Sequence, residues 1–165
     1  MIKIRLINLK DIDKGFPEIL ENLLPVEMDK AKAKEILQNI INEPTHKIFV
    51  AEDDSIANKN SANTIVGTTT LLTEQKFIGR GMKVGYIEDV SVKKGYERQG
   101  IGRKLVSFVT NYAVQKEFCT KIILYCSKKN IPFYEKLDYK LSNDTAVMKY
   151  EILKDKDGIG IGYHS

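Results

Sequence analysis

The sequence predicts an α/β (α+β) domain, a mixed central β-sheet flanked by about four helices. Three observations carry this. Short β-branched or alternating runs are interleaved with stretches whose apolar residues recur at helical spacing. Several adjacent strands leave no room for a crossover, so the sheet must be mixed. The chain has 165 residues, 42% hydrophobic and 29% charged, enough for one full core and too few for two ordinary domains. The expected layout is a single domain over residues 1–153 and a flexible tail over 154–165.

The elements follow in order. Ile2–Ile7 alternates apolar and basic residues and reads as a strand. Asp13 is a candidate N-cap for a first helix carrying Phe16, Ile19, Leu20, Leu23 and Leu24 on its apolar side, closed by Pro25. A second helix spans about Asp29 to Ile41, with Ala33, Ile36, Leu37, Ile40 and Ile41 on one side and Pro44 behind it. Lys47–Glu52 is a strand, Asp53–Asn63 a polar loop and Thr64–Thr73 a β-branched strand. Gln75–Lys83 is a glycine-containing loop that leads into the strand Gly85–Val92, GYIEDVSV. An amphipathic helix covers Ile101–Ala113, and Lys121–Cys126 reads as a buried strand that includes Cys126 as a packing residue. Asn130 can cap a short helix with Pro132 in its first turn. Strands near Tyr139–Ser142 and Ala146–Leu153 complete the sheet.

Bulk properties exclude several classes. A net charge of +4, from 26 basic and 22 acidic residues, suits an anionic small ligand better than nucleic acid. No apolar run approaches the roughly 18 residues of a membrane span. The N-terminus lacks a signal-peptide core, so a cytoplasmic protein is expected. Cys119 and Cys126 read as free thiols. His46 and His164 are isolated, so no metal is expected.

The stretch Tyr96–Arg103, YERQGIGR, stands where a strand hands over to a helix. Gly100 and Gly102 let the backbone bend tightly and bring N–H groups close to an anion. The helix start behind them has unpaired donors and a partial positive charge, and Arg98, Arg103 and Lys104 add to it. This reads as a diphosphate cradle. It is not a Rossmann fingerprint, because the residue three after Gly102 is Leu105, and no P-loop string occurs.

Four segments occur in a telling order: Gly85–Val92, Gln99–Arg103 (QGIGR), Ile122–Cys126 (IILYC) and Asn130–Lys136 (NIPFYEK). Together they resemble the GNAT superfamily of acetyl-CoA-dependent N-acetyltransferases, and within it the members that act on glucosamine 6-phosphate. Glu74–Ile78 (EQKFI) resembles their substrate loop, and the likeness covers roughly Ile65–Tyr139. It implies acetyl transfer from acetyl-CoA to the amine of D-glucosamine 6-phosphate by direct attack, on the route to UDP-GlcNAc. It also implies a homodimer in which strands around Ala146–Leu153 reach the partner's site.

The resemblance assigns coenzyme contacts to Val90, Ser91, Val92, Arg98, Gln99, Gly100, Ile101, Gly102, Arg103, Asn130, Phe133 and Tyr134. The expected substrate contacts are Phe77, Ile78, Glu88, Asp89 and Tyr125, with Lys76 and Lys121 read separately, by their charge, as contacts to the sugar phosphate. Glu88 takes the amine side. Asp89, adjacent in a strand, should point to the opposite face. A backbone N–H near Val90 meets the oxyanion, and Tyr134, with an ordinary phenol pKa near 10, protonates the departing thiolate. The plain alternatives are two strand carboxylates in ordinary polar contacts and a packed tyrosine. The chain departs from the pattern at Glu97, at Tyr86 in place of histidine, at Tyr125 in place of aspartate and at Glu151 in place of arginine. Two other functions therefore stay open: a GNAT enzyme acting on a protein N-terminus, polyamine or other amino sugar, and a non-catalytic coenzyme A-binding domain.

Overall fold

The computed structural model describes residues 1–57, 63–143, 145–148, 153–154 and 160–161. Its centre is a five-stranded sheet in the order β1-β2-β3-β4-β5, built from Ile2–Leu6, His46–Asp53, Ile65–Gln75, Lys83–Val92 and Lys121–Leu124. The first four strands pair antiparallel, whereas β5 runs parallel to β4. The sheet is mixed because one long helix, Ile101–Gln115, lies between β4 and β5 in sequence and carries the chain back to the start of the sheet.

Strand alternation sorts the core into two faces. Ile48 and Val50 of β2 pack with Ile12, Phe16, Ile19 and Leu37, under α1 (Phe16–Leu20) and α2 (Lys30–Asn42). Phe49, Leu71 and Ile87 point the other way and pack with Val106, Val109 and Ala113 of α3 (Ile101–Gln115). Each of the buried Val, Leu, Ile and Phe side chains among them contributes about 1.5–3 kcal/mol over its exposed state. Gly67 sets how closely α3 lies on the sheet. A Cβ there would meet Leu105 Cδ1 at 2.9 Å and Ile101 Cγ2 at 3.1 Å, so only glycine lets the first turn of α3 sit on β3. A short helix, α4 (Ile131–Glu135), follows β5.

The first helix differs from expectation. A 3-10 segment, Leu9–Lys14, precedes α1 and is capped by Asn8, which forms a reciprocal box with Asp11. Gly15, at φ 90°, ends that segment, so α1 begins at Phe16 and stops after Leu20. Asp13 is not a cap; it pairs with Lys30 and Lys34 on α2. Leu23 and Leu24, expected on the apolar face, are exposed because the helix has already ended. Asp29 does cap α2, accepting from the Lys32 N–H at 2.8 Å.

The 3-10 segment is tied to the sheet by a buried ionic cluster. Arg5 on β1 donates to both carboxylate oxygens of Asp11 at 2.7 Å, and Glu52 on β2 accepts from Arg5 and from Lys14. Burial opposes the Glu52 charge, but the hydrogen bonds from Lys14 and Arg5 outweigh it and hold the carboxyl at about 2.

The C-terminal part also departs from the expected pattern. Tyr139–Ser142 is irregular rather than a strand. Asp138 takes φ 66°, the Tyr139 N–H bonds back to the Tyr134 carbonyl at 3.2 Å, and the Tyr139 hydroxyl meets Thr110 Oγ1 at 2.6 Å. These contacts fold the segment onto α3 and α4. Residues 145–148 are irregular, and 149–152, with Glu151, lie outside the described residues. Leu153–Lys154 (β6) pairs antiparallel with Gly160–Ile161 (β7), so Lys154, Gly160 and Ile161 of the expected tail are in strand geometry. No described helix is long and apolar enough to cross a membrane.

Candidate active site

β4 and β5 run together only from the pair Val84–Lys121 to Ile87–Leu124. Beyond Ile87, among the described residues, β4 continues to Val92 without β5 beside it. At the same place its pairing with β3 slips. Thr68 faces Ser91 and Thr70 faces Glu88, so Thr69 stands opposite two residues, Asp89 and Val90. This is a β-bulge, and Asp89 occupies it at φ 51°. Thr69 braces it by donating its hydroxyl to the Glu88 carbonyl at 3.2 Å.

The bulge sets which peptide groups face the opening. The Lys93 N–H bonds to Val66 O on β3 at 3.0 Å. By alternation Ser91 also faces β3, while Val90 and Val92 turn their peptide groups toward the side that β5 has left. The Val92 carbonyl is taken by Asn22 Nδ2 at 3.1 Å. Val90 therefore offers its peptide where the strands part.

The bulge also suspends the strict alternation that would send Glu88 and Asp89 to opposite faces. Glu88 is paired with Thr70, and Thr70 and Asp89 both line a cavity of about 170 Å³ beneath α1 and α2. Phe16, Leu20, Met28 and His46 also line it. The Glu88 carboxyl is pushed up, first by burial and then by the neighbouring Asp89 charge. His46, desolvated, is pushed down despite the pull of Asp89 and Glu43.

The turn before α3 has the geometry of an anion cradle. Gly95, Arg98 and Gly100 are all in the left-handed region, at φ 86°, 61° and 77°. Among the described residues no side chain caps α3, and the first intrahelical acceptor of this turn, Gly100 O, is used by Lys104. The N–H groups of Ile101, Gly102 and Arg103 are thus left for a ligand. Arg98, Arg103 and Lys104 are in no ion pair among the described residues. Glu97 does not oppose an anion freely, because its carboxylate accepts the Gly95 N–H at 2.6 Å. Gln99 braces the same loop, donating to Gly95 O at 3.2 Å. The donor set and the open space at Gly100 fit a pyrophosphate.

Residues 11–139 match the profile of the Acetyltransferase (GNAT) family. The chain belongs to the GNAT acetyltransferase family. It is 31% identical over 140 residues to glucosamine 6-phosphate N-acetyltransferase 1 of Dictyostelium discoideum, spanning 84% of this chain and 85% of that protein. It is 34% identical over 139 residues to the Candida albicans glucosamine 6-phosphate N-acetyltransferase, spanning 82% and 87%. The crystal structure of glucosamine-6-phosphate N-acetyltransferase from Arabidopsis thaliana superposes with a TM-score of 0.80 at 29% identity, over 92% of this chain and 98% of that one. The protein is an acetyl-CoA-dependent N-acetyltransferase.

In this GNAT enzyme α4 stands beside the opening. Phe133 lies against Gly102, and Tyr134 is buried, 9% exposed, in the core beneath α3. Its phenol is pushed up to about 12, by burial first and then by Cys126 and Tyr139, so the expected ordinary value near 10 does not hold. Among the described residues the Tyr134 side chain has ring contacts but no hydrogen-bond partner. Asn130 begins α4 after a 3-10 turn, Lys128–Asn130, and its side chain makes no capping hydrogen bond among the described residues. Cys126 is exposed, beyond the end of β5, and does not pack within the strand.

Other expected residues lie elsewhere. The Ser91 hydroxyl donates to Ile19 O at 2.8 Å, a buried contact that ties α1 to β4. Lys76, Phe77 and Ile78 stand at the β3–β4 turn, where Lys76 pairs with Glu74 and Phe77 is fully exposed. Lys76 bonds back to Met82, six residues before Glu88, or about 20 Å along an extended strand. Lys121 pairs with Val84, roughly 13 Å from Glu88 by the same measure. One protomer therefore does not bring these lysines to the opening, whereas exposed Tyr125 directly follows β5 there. Asn22 and His46 were not legible as site residues, since neither sits in a motif.

Proposed function

We propose that the enzyme transfers the acetyl group of acetyl-CoA to the amino group of D-glucosamine 6-phosphate, giving N-acetyl-D-glucosamine 6-phosphate and coenzyme A. The observation that carries this reading is the bulge at Asp89–Val90, set where β4 and β5 part and beside a helix start whose first three N–H groups have no partner among the described residues. The sugar-phosphate specificity is supported by relatives of that activity aligned over more than four-fifths of the chain.

The cradle of Ile101, Gly102 and Arg103 holds the pyrophosphate of the donor, with Arg98 and Lys104 adding charge. The donor's arm then runs past Val92 and Phe133 into the opening. The Val90 N–H meets the thioester oxygen and stabilises the charge that develops there, an effect worth on the order of 10²–10³ in rate. Glu88 collects the proton of the attacking amine, and its raised pKa brings it closer to that task. Asp89 holds the amine in place. The amine attacks directly, so no acetyl-enzyme forms.

Tyr134 donates a hydrogen bond to the departing sulfur. With its phenol near 12 and a thiol near 8.5, full proton transfer to the thiolate would run uphill by about 5 kcal/mol. Its contribution therefore lies in the transition state, and the thiolate takes its proton in the end from solvent.

The working unit is a homodimer. The outer edge of β5, unpaired among the described residues, and the exposed Phe77, Ile78, Tyr125, Val147 and Met148 support a second copy there. Such a copy would supply the lysines that one protomer holds too far away. A thiol-release assay with D-glucosamine 6-phosphate, free glucosamine and a peptide amine tests the reading. Turnover should be highest with the sugar phosphate; equal or greater turnover with the peptide would contradict it.

A further inference from the structure

We propose that the cavity beneath α1 and α2 is a second acceptor site, one that takes primary amines carrying a compact apolar body and presents them for acetylation. The inference rests on the functional reading above, which sets the donor's thioester at Val90.

The cavity suits a ligand that is apolar except at one cationic end. Its volume is about 170 Å³, and Phe16, Leu20, Leu37 and Ile40 form its walls. A cavity of roughly 150 Å³ with such a lining is large enough for a benzene ring. The polar groups gather where the cavity meets the sheet: His46 on β2, Thr70 on β3 and Asp89 in the bulge of β4.

Two independent features at that end call for a partner. Thr70 is 4% exposed, and its hydroxyl enters no hydrogen bond among the described residues. Its neighbours Thr68 and Thr69 spend theirs on the carbonyls of Phe49 and Glu88. A polar side chain enclosed to that degree is ordinarily paired. Neither Asp89, exposed at the mouth, nor Glu88 beside it enters an ion pair among the described residues. His46 does not supply the missing charge, because desolvation pushes its pKa down and leaves the imidazole neutral near neutral pH. A primary ammonium answers both features, with one N–H to the Asp89 carboxylate and another to the Thr70 oxygen. The hydroxyls of a sugar would meet aliphatic walls here and go unpaired, so the sugar phosphate keeps to the opening beside β5.

The chemistry is the same acetyl transfer. Asp89 and Val90 are adjacent in the bulge, so an amine held by Asp89 stands next to the thioester. The ammonium gives one proton to Glu88, which passes it to solvent. The freed nitrogen bonds to the thioester carbon, the C–S bond breaks, and the nitrogen loses a second proton as the amide forms. The coenzyme thiolate takes a proton from solvent, and nothing is oxidised or reduced.

The experiment measures thiol release and product mass with full-length protein, acetyl-CoA and one of three amines: phenethylamine, ethylamine or D-glucosamine 6-phosphate. Burial of the ring should make kcat/KM for phenethylamine about 10–10² times that for ethylamine. Two variants fill the cavity from its α2 wall: Ala33→Leu, at a buried position, and Ile36→Phe, at a half-buried one that tolerates a larger side chain. Each should bring the two kcat/KM values together while turnover of the sugar phosphate stays near wild type, which also reports that the variant is folded. Equal kcat/KM for the two simple amines in the wild type, or an advantage that survives in both variants, would overturn the proposal and leave the functional reading standing. Turnover of the sugar phosphate without turnover of phenethylamine would do the same. Absence of turnover with all three amines would overturn both.

Discussion

Phe133 rests against the backbone of Gly102: a Cβ on that glycine would meet the Phe133 Cζ at 3.6 Å. The contact joins the helix that follows β4 to the helix that follows β5. It sets the anion-binding turn on one side and Tyr134, the next residue, on the other. The two parts of the proposed chemistry, holding the donor and assisting its leaving group, are thus fixed to each other by one ring.

Gly100→Asp should abolish acetyl-CoA binding with little loss of fold. The substitution puts a carboxylate at the mouth of the cradle and a side chain at φ 77°, where strain costs about 1 kcal/mol. Calorimetric titration with acetyl-CoA, alongside a thermal melt, separates the two effects. Retained affinity would show that the pyrophosphate lies elsewhere.

Tyr134→Phe should lower kcat by about 10–10² and leave the KM for acetyl-CoA nearly unchanged, because the lost hydrogen bond forms as the sulfur departs. The wild-type rate should show no basic limb from this phenol below its value of about 12. Steady-state kinetics from pH 6 to 10 (about four units, spanning the reference thiol pKa) check both points.

Glu88→Gln should slow transfer by about 10²–10³ near neutral pH and by less as pH rises toward the pKa of the amine itself. The wild-type carboxyl, raised by burial and by Asp89, loses its proton-accepting form as pH falls through a value above that of an ordinary glutamate. The acid limb of the wild-type profile should accordingly lie above the usual carboxylate range. A pH-independent deficit in the variant would contradict a base role.

The cluster around Glu52 predicts acid sensitivity. Its folded pKa is depressed to about 2 from an ordinary 4.5, so the stability it contributes is complete above 4.5 and is lost as pH falls toward 2. The shift corresponds to at most about 3 kcal/mol. Glu52→Gln should flatten the pH dependence of denaturant midpoints in that window and destabilise the protein at neutral pH, since Arg5 and Lys14 lose a shared partner. An unchanged slope would assign the acid sensitivity to other carboxylates.

Local chemistry made much of the fold legible. Asp29 before an apolar-periodic run announced α2, and the glycines of the QGIGR turn announced the start of α3. The bulge was hidden because GYIEDVSV alternates as a regular strand would, and only its pairing with β3 shows that Thr69 faces two residues. Asp13 looked like a cap because capping chemistry is short-range; Asn8 and the left-handed Gly15 had the stronger claim. Tyr139–Ser142 reads as a strand by composition, yet its backbone is drawn onto α3 and α4 by the Tyr139–Thr110 contact, a tertiary effect that no local pattern carries. Asn22 was invisible for the same reason, since its role depends on the Val92 carbonyl seventy residues away.

The most direct measurement is a crystal structure with coenzyme A and D-glucosamine 6-phosphate. The account predicts the pyrophosphate on the N–H groups of Ile101, Gly102 and Arg103, the sulfur beside the Tyr134 hydroxyl and the sugar amine within hydrogen-bond reach of Glu88. A coenzyme bound away from the α3 turn, or a sugar lodged on the far side of the sheet from Glu88, would contradict it.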